Sequence, residues 1–456
     1  MEAGRYKPYP AYKGSYAVWS GDVPEHWVPI RLKHVFTDKK KQSDPTLPAG
    51  SISFGNVIYK NEDSLAKETK AAYQVLEDGE FLINPLNMNY DLLSLRTALS
   101  SINVVVSTGY MILQSAEGYH KNYLRWLLQQ FDVAHMKTLG AGVRQTISYT
   151  DIGNSFIFQP SLPEQTQIAA FLDYETAQID ALIAKQQRLI ALLEEKRQAV
   201  ISHAVTKGLD KSTPLRPSGI DWLGDVPAHW TVSSLKHFVR TTNGFGFSSA
   251  DFRDEGVPFI RAGNIKNKSV IQPSIFLPKK VVENYERVVL LGGDILISMV
   301  GSDPKMTASA VGQIGIVPKN LEGAVPNQNV VIMREDNTVL LKRYLFYSLA
   351  SSAYRNHLNV FSHKLANQSI ISSSLLVSAA FTFPDKKEQQ KIIDCLDIKL
   401  LKMDAVVTEA RSAASLLKER RTALISAAVT GKIDLRDWQP PEDSTQDIDQ
   451  NEEALA

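Results

Sequence analysis

One stretch of 20 residues occurs twice in this chain, and a second, longer stretch occurs twice behind it. Ser15 to His34 (SYAVWSGDVPEHWVPIRLKH) returns 203 residues later as Ser218 to His237 (SGIDWLGDVPAHWTVSSLKH). Glu164 to Asp210 returns without a gap 224 residues later as Glu388 to Asp434. In the first pair, Trp19, Gly21-Asp22-Val23-Pro24, His26-Trp27 and Leu32-Lys33-His34 match Trp222, Gly224-Asp225-Val226-Pro227, His229-Trp230 and Leu235-Lys236-His237. Two dissimilar sequences, 35–163 and 238–387, sit inside the two copies. A period this long is too large for a solenoid and points to a duplicated domain together with its linker. A fixed frame around variable inserts suits a protein that recognises two different things in one spatial relation.

At 456 residues the chain exceeds what one hydrophobic core usually covers, in keeping with two lobes. Its 44% apolar and 22% charged content is ordinary for a globular protein. No apolar run is long enough for a membrane span, and the N-terminal MEAGRYKPYPAYKGSY is polar and Tyr-rich, so a cytoplasmic protein without membrane association is expected. The single cysteine, Cys395, falls where the first copy has Phe171, which reads as a small buried apolar residue rather than a reactive thiol, and disulfides within the chain are excluded. Net charge is +1, but residues 439–456 hold six acids and no base, leaving 50 basic against 43 acidic residues, or +7, in the rest. That tail has no apolar periodicity and reads as disordered and solvated.

The second repeated stretch reads as a long helix. After a start signal at Pro163-Glu164, the stripe Ile179, Ile183, Gln186, Ile190, Leu193, Arg197, Val200, Ala204 steps by four and three in alternation, the spacing of a coiled-coil seam. The second copy keeps it as Met403, Val407, Ala410, Ala414, Leu417, Arg421, Leu424, Ala428. Gly208 and Gly431 are the stop signals. Two such helices can bury their seams against each other in antiparallel fashion, each a rod of about 60 Å at roughly 1.5 Å per residue. The alternative is that each packs only on its own lobe.

The inserts read as short strands and loops with one helix near the end. In the first, Ser51–Tyr59, Glu80–Ile83 and Asn103–Val106 are strand candidates and Lys121–Gln130 a helix. In the second, Val257–Arg261, Asp294–Ser298, Gln313–Val317 and Asn329–Met333 are strands and Leu341–Ala350 a helix. Each lobe then closes on a loop and strand, Gly142–Ser148 and His363–Ile370.

The frame, W-x-GDVP-x-HW and LKH before each lobe, EQ-x-x-I-x-x-x-LD after it, and a long helix ending in AVTKGLD or AVTGKIDLRDW, resembles the specificity subunit of Type I restriction-modification enzymes. The match covers the chain apart from the acidic tail, with the motifs in order and in duplicate. The resemblance implies an α+β protein: two mixed α/β target-recognition domains separated by two long antiparallel coiled-coil helices, a pseudo-two-fold internal repeat. It divides the chain into an N-terminal segment (1–19), target-recognition domain 1 (20–162), a central conserved helix (163–210), target-recognition domain 2 (211–383), a C-terminal conserved helix (384–434) and the acidic tail (435–456). It also implies a bipartite double-stranded DNA target, docking of two methyltransferase subunits, further restriction/translocase subunits in the restricting complex, and no chemistry or cofactor in the chain itself.

The catalytic motifs that the sequence faintly outlines are incomplete, in keeping with that last implication. Asn84-Pro85-Leu86-Asn87 has the outline of the Asn-Pro-Pro-Tyr loop of amino-methyltransferases but lacks its second proline and its aromatic, and reads as a turn after a strand. Ser302-Asp303-Pro304-Lys305 has Ser-x-x-Lys spacing without a supporting motif. Gly244-Phe245-Gly246 lacks the strand-turn-helix setting that phosphate cradling needs. The nine histidines show no metal-ligand spacing; His26, His34, His229 and His237 belong to the frame and read as structural.

Phosphates are gripped by Lys, Arg and backbone amides, and base edges are read by side chains with paired donors and acceptors. Loops carrying both kinds are the candidates: Lys39, Lys40, Lys41, Gln42, Asn56, Asn87, Asn89, Arg144 and Gln145 in the first lobe, and Asn243, Arg261, Asn264, Lys266, Asn267, Lys268, His363, Lys364 and Gln368 in the second. For each of them an ordinary solvated loop residue is the competing reading. Phe245 and Phe247 either touch a thymine methyl or anchor their loop. Two rival classes stand beside the DNA reading: a complete methyltransferase or nuclease, and a coiled-coil scaffold that binds no DNA.

Overall fold

The computed structural model describes residues 6–17, 19–63, 65–86, 95–139, 146–301, 312–361, 363–365 and 368–441. The chain divides into two compact units, residues 1–186 with 412–456, and residues 187–411. The division falls within the long helices rather than at their ends.

The first unit is built on six strands, β1 (Phe36–Asp38), β2 (Gly50–Ser53), β3 (Asn56–Tyr59), β4 (Phe81–Ile83), β5 (Thr97–Leu99) and β6 (Met111–Ser115), ordered β1-β6-β4-β5-β3-β2. β6 lies antiparallel to β1 and β4, β4 antiparallel to β5, β5 parallel to β3, and β3 forms a hairpin with β2. Alternation along each strand sorts side chains between two faces. Phe81, Ile83 and Leu113 face helix α1 (Lys121–Ala134), which supplies Tyr123, Leu124, Leu127 and Phe131. Leu82, Ala98 and Ile112 face the other way, where Leu76, Val104 and Val106 of a two-stranded ribbon cover them.

The sequence expectation of one strand over Ser51–Tyr59 is corrected here. The backbone reverses at Phe54 (φ 46) and Gly55 (φ 78), and Ser53 pairs with Asn56. Two successive positive φ values are what a two-residue hairpin turn needs to match strand twist, and glycine takes the second at no steric cost. Alternation alone carries no sign of that reversal. The helix expected over Lys121–Gln130 continues to Ala134. Beyond it, the 46-residue helix α2 (Leu162–Lys207) begins.

The second unit repeats the plan with other residues. Its strands β7 (Val239–Asn243), β8 (Ile265–Lys266), β9 (Ser269–Val270), β10 (Ile295–Ser298), β11 (Ile314–Ile316) and β12 (Val330–Glu335) run β7-β12-β10-β11-β9-β8, position for position the order of the first sheet. The pairing senses match as well, including the one parallel pair, β9 with β11. Ile295, Ile297, Val331 and Met333 pack under helix α3 (Lys342–Ala350), and Leu296, Val330 and Ile332 face a separate core. Val257–Ile260, expected as a strand, lies in a small separate sheet with Phe276–Leu277 and Val325–Pro326. The 44-residue helix α4 (Lys386–Val429) follows.

Both long helices start and stop by the same devices. Ser161 and Asp385 are the caps: Ser161 Oγ accepts from the Glu164 amide at 3.4 Å, and Asp385 Oδ1 accepts from the Glu388 amide at 2.8 Å. Glu164 Oε2 accepts in return from the Ser161 amide at 3.1 Å, completing a capping box. Gly208 (φ 79) and Gly431 (φ 68) end the helices in the left-handed conformation.

Within each unit the two long helices run against each other in opposite directions. In the first, Ile179 and Ile183 of α2 share a core with Leu424, Ile425 and Ala428 of α4, with Leu417 packed against it. In the second, Ile201 and Ala204 of α2 share a core with Leu396 and Leu400 of α4, and Val200 and Met403 pack on it. Ile190, Leu193, Arg197, Val407 and Arg421 are half-buried, while Leu189, Leu192 and Leu416 beside them stand exposed. The side chains turned inward follow the four-three step.

Candidate nucleic-acid interface

Any recognition loop must be held by a rigid mount, and the repeated residues around each lobe build one. Gln165 is fully buried; its Oε1 accepts from the His120 amide at the start of α1 at 3.0 Å, and its Nε2 donates to the Pro160 carbonyl at 3.1 Å. Gln389 does the same in the second unit, from the Leu341 amide at 2.8 Å and to the Pro384 carbonyl at 2.9 Å. One amide side chain thus ties the lobe helix to the long helix, satisfying a buried donor and acceptor at once.

The aspartate eight residues on grips the same lobe helix. Asp173 accepts from Arg125 at 2.6 Å, Trp126 Nε1 at 2.9 Å and Asn122 at 3.0 Å. Asp397 accepts from Arg343 at 2.8 Å and from the Tyr347 hydroxyl. The glutamate holds the frame: His26 Nε2 lies 2.8 Å from Glu164, and His229 Nε2 lies 2.9 Å from Glu388. Burial pushes the Glu164 carboxyl up, but hydrogen bonds from His26 and Ser161 outweigh it and hold it below its usual range. Frame lysines close the ring, Lys432 donating to the Asp22 carbonyl and Lys207 to the Asp225 carbonyl. Sequence reasoning found the EQ-x-x-I-x-x-x-LD pattern and assigned its polar members no role. Their presence in both copies at one spacing was the available signal.

The candidate contact residues fall on loops that leave these mounts. Lys40, Lys41 and Gln42 are exposed in the loop after β1, and Asn56 is exposed at the β2–β3 turn beside Phe54, which is 79% exposed. Lys39 is different: its side chain is 8% exposed and its ammonium lies 2.9 Å from Glu77 and 2.8 Å from Glu80. Burial works against that charge, but the two carboxylates outweigh it and hold the ammonium pKa above its ordinary value. Lys39 is thereby bound inside the lobe. Asn87, Asn89, Arg144 and Gln145 lie outside the described residues, as do Ser302 to Lys305. Asn84 Oδ1 accepts from the Leu86 amide at 3.1 Å, the turn expected there.

In the second lobe Asn243 ends β7, exposed, and Arg261 is exposed beside a short turn that Asn264 holds by accepting from the Arg261 amide at 2.9 Å. Lys266, Asn267 and Lys268 make the β8–β9 hairpin, Asn267 (φ 51) and Lys268 (φ 62) forming its tip. Burial, and then the charge of Arg197, push the Lys268 ammonium down to about 8. His363 and Lys364 lie on one strand and Gln368 on the next, forming a hairpin that pairs with Val300–Gly301 just past β10. The first lobe has the same arrangement in a bridge between Leu86, just past β4, and Thr146. Phe245 and Phe247 anchor their loop: their rings lie 5.0 Å apart, Phe245 is 4.2 Å from Tyr285, and Phe247 is 5.7 Å from Phe259. At Gly244 a Cβ would fall 2.1 Å from the Asn327 carbonyl oxygen, so only glycine allows that approach. Among the described residues no group of acidic, histidine or cysteine side chains is placed to hold a metal ion, and no helix is long and apolar enough to cross a membrane.

Residues 227–402, the second lobe with the start of α4, match the family model for the Type I restriction modification DNA specificity domain. That stretch belongs to the Type I DNA specificity domain family. The likeness to such proteins extends beyond that stretch. The Type I restriction enzyme MjaVIII specificity subunit of Methanocaldococcus jannaschii is 23% identical over 427 residues, 90% of this chain and 94% of that one. The EcoBI specificity subunit of Escherichia coli is 23% identical over 282 residues, 60% of this chain and 57% of that one. A chain from a solved structure of a type I R-M system shares the fold of this chain with a TM-score of 0.68 at 18% identity, covering 90% of this chain and 99% of that one.

Proposed function

We propose that this specificity subunit reads a bipartite DNA target, with the lobe at 20–162 taking one half-site and the lobe at 211–383 the other. Lys40, Lys41, Gln42, Asn56, Asn87, Asn89, Arg144 and Gln145 serve the first; Asn243, Arg261, Asn264, Lys266, Asn267, Lys268, His363, Lys364 and Gln368 serve the second. The observation that carries the reading is the pair of sheets with one strand order and one set of pairing senses, mounted by the same Glu, Gln and Asp, while the loops between strands differ. A common mount with unlike loops is what two independent readers require.

Each bidentate base contact discriminates by roughly 1–3 kcal/mol, so one lobe with a few contacts is a modest reader. Joining two makes the second binding event intramolecular, and specificity multiplies only when both half-sites lie at the right separation and phase. The helices α2 and α4 set that spacing and offer the docking surface for two methyltransferase subunits, to which restriction/translocase subunits add. The chain itself performs no chemistry and needs no cofactor.

The test is exchange of residues 244–383 for the equivalent lobe of a related subunit, followed by mapping of methylated sites. One half-site changes and the other stays; changes in both would refute independent reading. DNA binding by the subunit together with its methyltransferase partner must also weaken as salt rises, through counterion release. A scaffold that binds no DNA shows neither effect.

A further inference from the structure

The duplication has one conspicuous mismatch. In the first unit Phe171 is sealed by two aromatic side chains from the ends of the chain: the Tyr6 ring lies 5.2 Å from it and the Trp438 ring 5.3 Å, both edge-on. Tyr6 also donates to Glu175 at 3.2 Å. In the second unit Cys395 and Lys399 stand where the first has Phe171 and Glu175. The segment that would cover them is the linker after Gly208. Leu209 corresponds to Ile433 when the helix repeat is aligned and to Tyr6 when the frame repeat is aligned, so one strand of chain stands where the first unit has two. Residues 211–214 (KSTP), which correspond to Leu435–Trp438, contain no aromatic.

What results is a groove of about 310 Å³ floored by Ala199, Val200, Ala204, Leu209, Cys395 and Leu396. Lys196, His203, Lys211 and Lys399 also line it, with no acidic residue among the lining. Its volume lies at the small end of ligand clefts, about 300–1,000 Å³, and suits one aromatic side chain rather than a cofactor.

We propose that this groove receives an aromatic side chain carried on an acidic segment of a partner protein, seated in the space that the Phe171 ring fills in the first unit. The apolar floor calls for the ring, and the surrounding cations call for flanking carboxylates. The occupant comes from another chain, because residues 439–456 are acidic but contain no aromatic, and Trp438 is already engaged at Phe171. The inference does not depend on DNA reading by the lobes.

The only cysteine of the chain lies in the groove and reports its occupancy. The probe is the peptide acetyl-Asp-Glu-Trp-Glu-Asp-amide with the full chain, read by calorimetry and by the rate of Cys395 alkylation with iodoacetamide. Saturable binding is expected, together with slowed alkylation. Cys395→Phe, which restores the residue of the first copy, should weaken binding at least about tenfold by filling the seat, as should Lys399→Glu by reversing the rim charge. Peptides with Ala for Trp, or Lys for the acids, should not protect Cys395. Absence of saturable binding, unslowed alkylation, equal affinity in Cys395→Phe, or equal protection by the lysine peptide would each overturn the proposal. Far-ultraviolet circular dichroism confirms that each variant is folded, and Lys399→Glu, an exposed helix position, supplies a second reading independent of the floor.

Discussion

Arg421 Nε lies 2.9 Å from Asp180 across the helix pair, and Arg197 pairs with Asp404 in the same way. Positions 180 and 404 are one site of the repeat, and 197 and 421 are another. Like helices laid antiparallel bring site i of one to site j of the other and j to i, so a single favourable pair is made twice. The two arginines lie in the apolar stripe, where their stems cover the seam while their heads reach carboxylates on the partner helix.

These pairs are part-exposed, with Asp180 at 52% and Arg421 at 25% side-chain exposure, so their strength is modest. Reversing either charge alone should destabilise, and the double swap Asp180→Arg with Arg421→Asp should recover a coupling of about 0.2–1 kcal/mol. Urea titrations of the four chains measure it. The coupling should shrink in high salt.

Glu164 gives an acid-side prediction. Its folded carboxyl binds a proton less readily than in the unfolded chain, so its stabilisation is complete above the ordinary carboxylate range and is lost as pH falls through the folded value. Glu164→Gln should lower stability near neutral pH by about 1–3 kcal/mol, since the buried carboxylate acceptors for His26 and Ser161 are lost. Melting curves taken downward from about pH 5 should show a shallower decline in the variant than in the parent.

Gly431 and Gly323 separate backbone strain from crowding. Both have positive φ, 68 and 88, but a Cβ at Gly431 would fall 2.4 Å from Pro24, whereas at Gly323 it would meet open space. Gly323→Ala should cost about 1–2 kcal/mol from the left-handed backbone alone. Gly431→Ala should cost a further 1–3 kcal/mol or so, because it overpacks the joint between α4 and the frame. Denaturant midpoints decide the order.

Arg96 and Asp132 form a buried pair in the first lobe, with side-chain exposures of 8% and 2% and an Nε to Oδ1 distance of 2.7 Å. Asp132→Ala should destabilise by about 3–5 kcal/mol, since it strands a buried guanidinium. Asp132→Asn should cost less, because its amide oxygen can still accept from the Arg96 backbone amide, now 2.7 Å from Asp132. Chemical unfolding followed by tryptophan fluorescence compares the two.

What could be read in advance follows from the range of each interaction. The Gly208 and Gly431 stops, the four-three step from Ile179 to Val200 and from Met403 to Leu424, and the α1 and α3 helices depend on residues within a turn or two of one another. The hairpin hidden in Ser51–Tyr59 escaped because a period of two is the same before and after a reversal at Phe54 and Gly55. Among the candidate contact residues, exposure of Lys40 and Lys41 agrees with their polar loop, while the capture of Lys39 by Glu77 and Glu80 involves carboxylates 38 and 41 residues away.

The sequence by itself determined the duplication, the two long helices with their ends, and the stripe that each turns inward, because those are recorded as identities and local periods. Only the tertiary structure decided that β5 runs parallel to β3 in one sheet and β11 to β9 in the other, that Glu164, Gln165 and Asp173 divide between frame and lobe, and that Cys395 faces an open groove where Phe171 is sealed. Those outcomes rest on contacts between segments far apart in the chain, and no local pattern specifies which distant partner a strand edge or a polar side chain will meet.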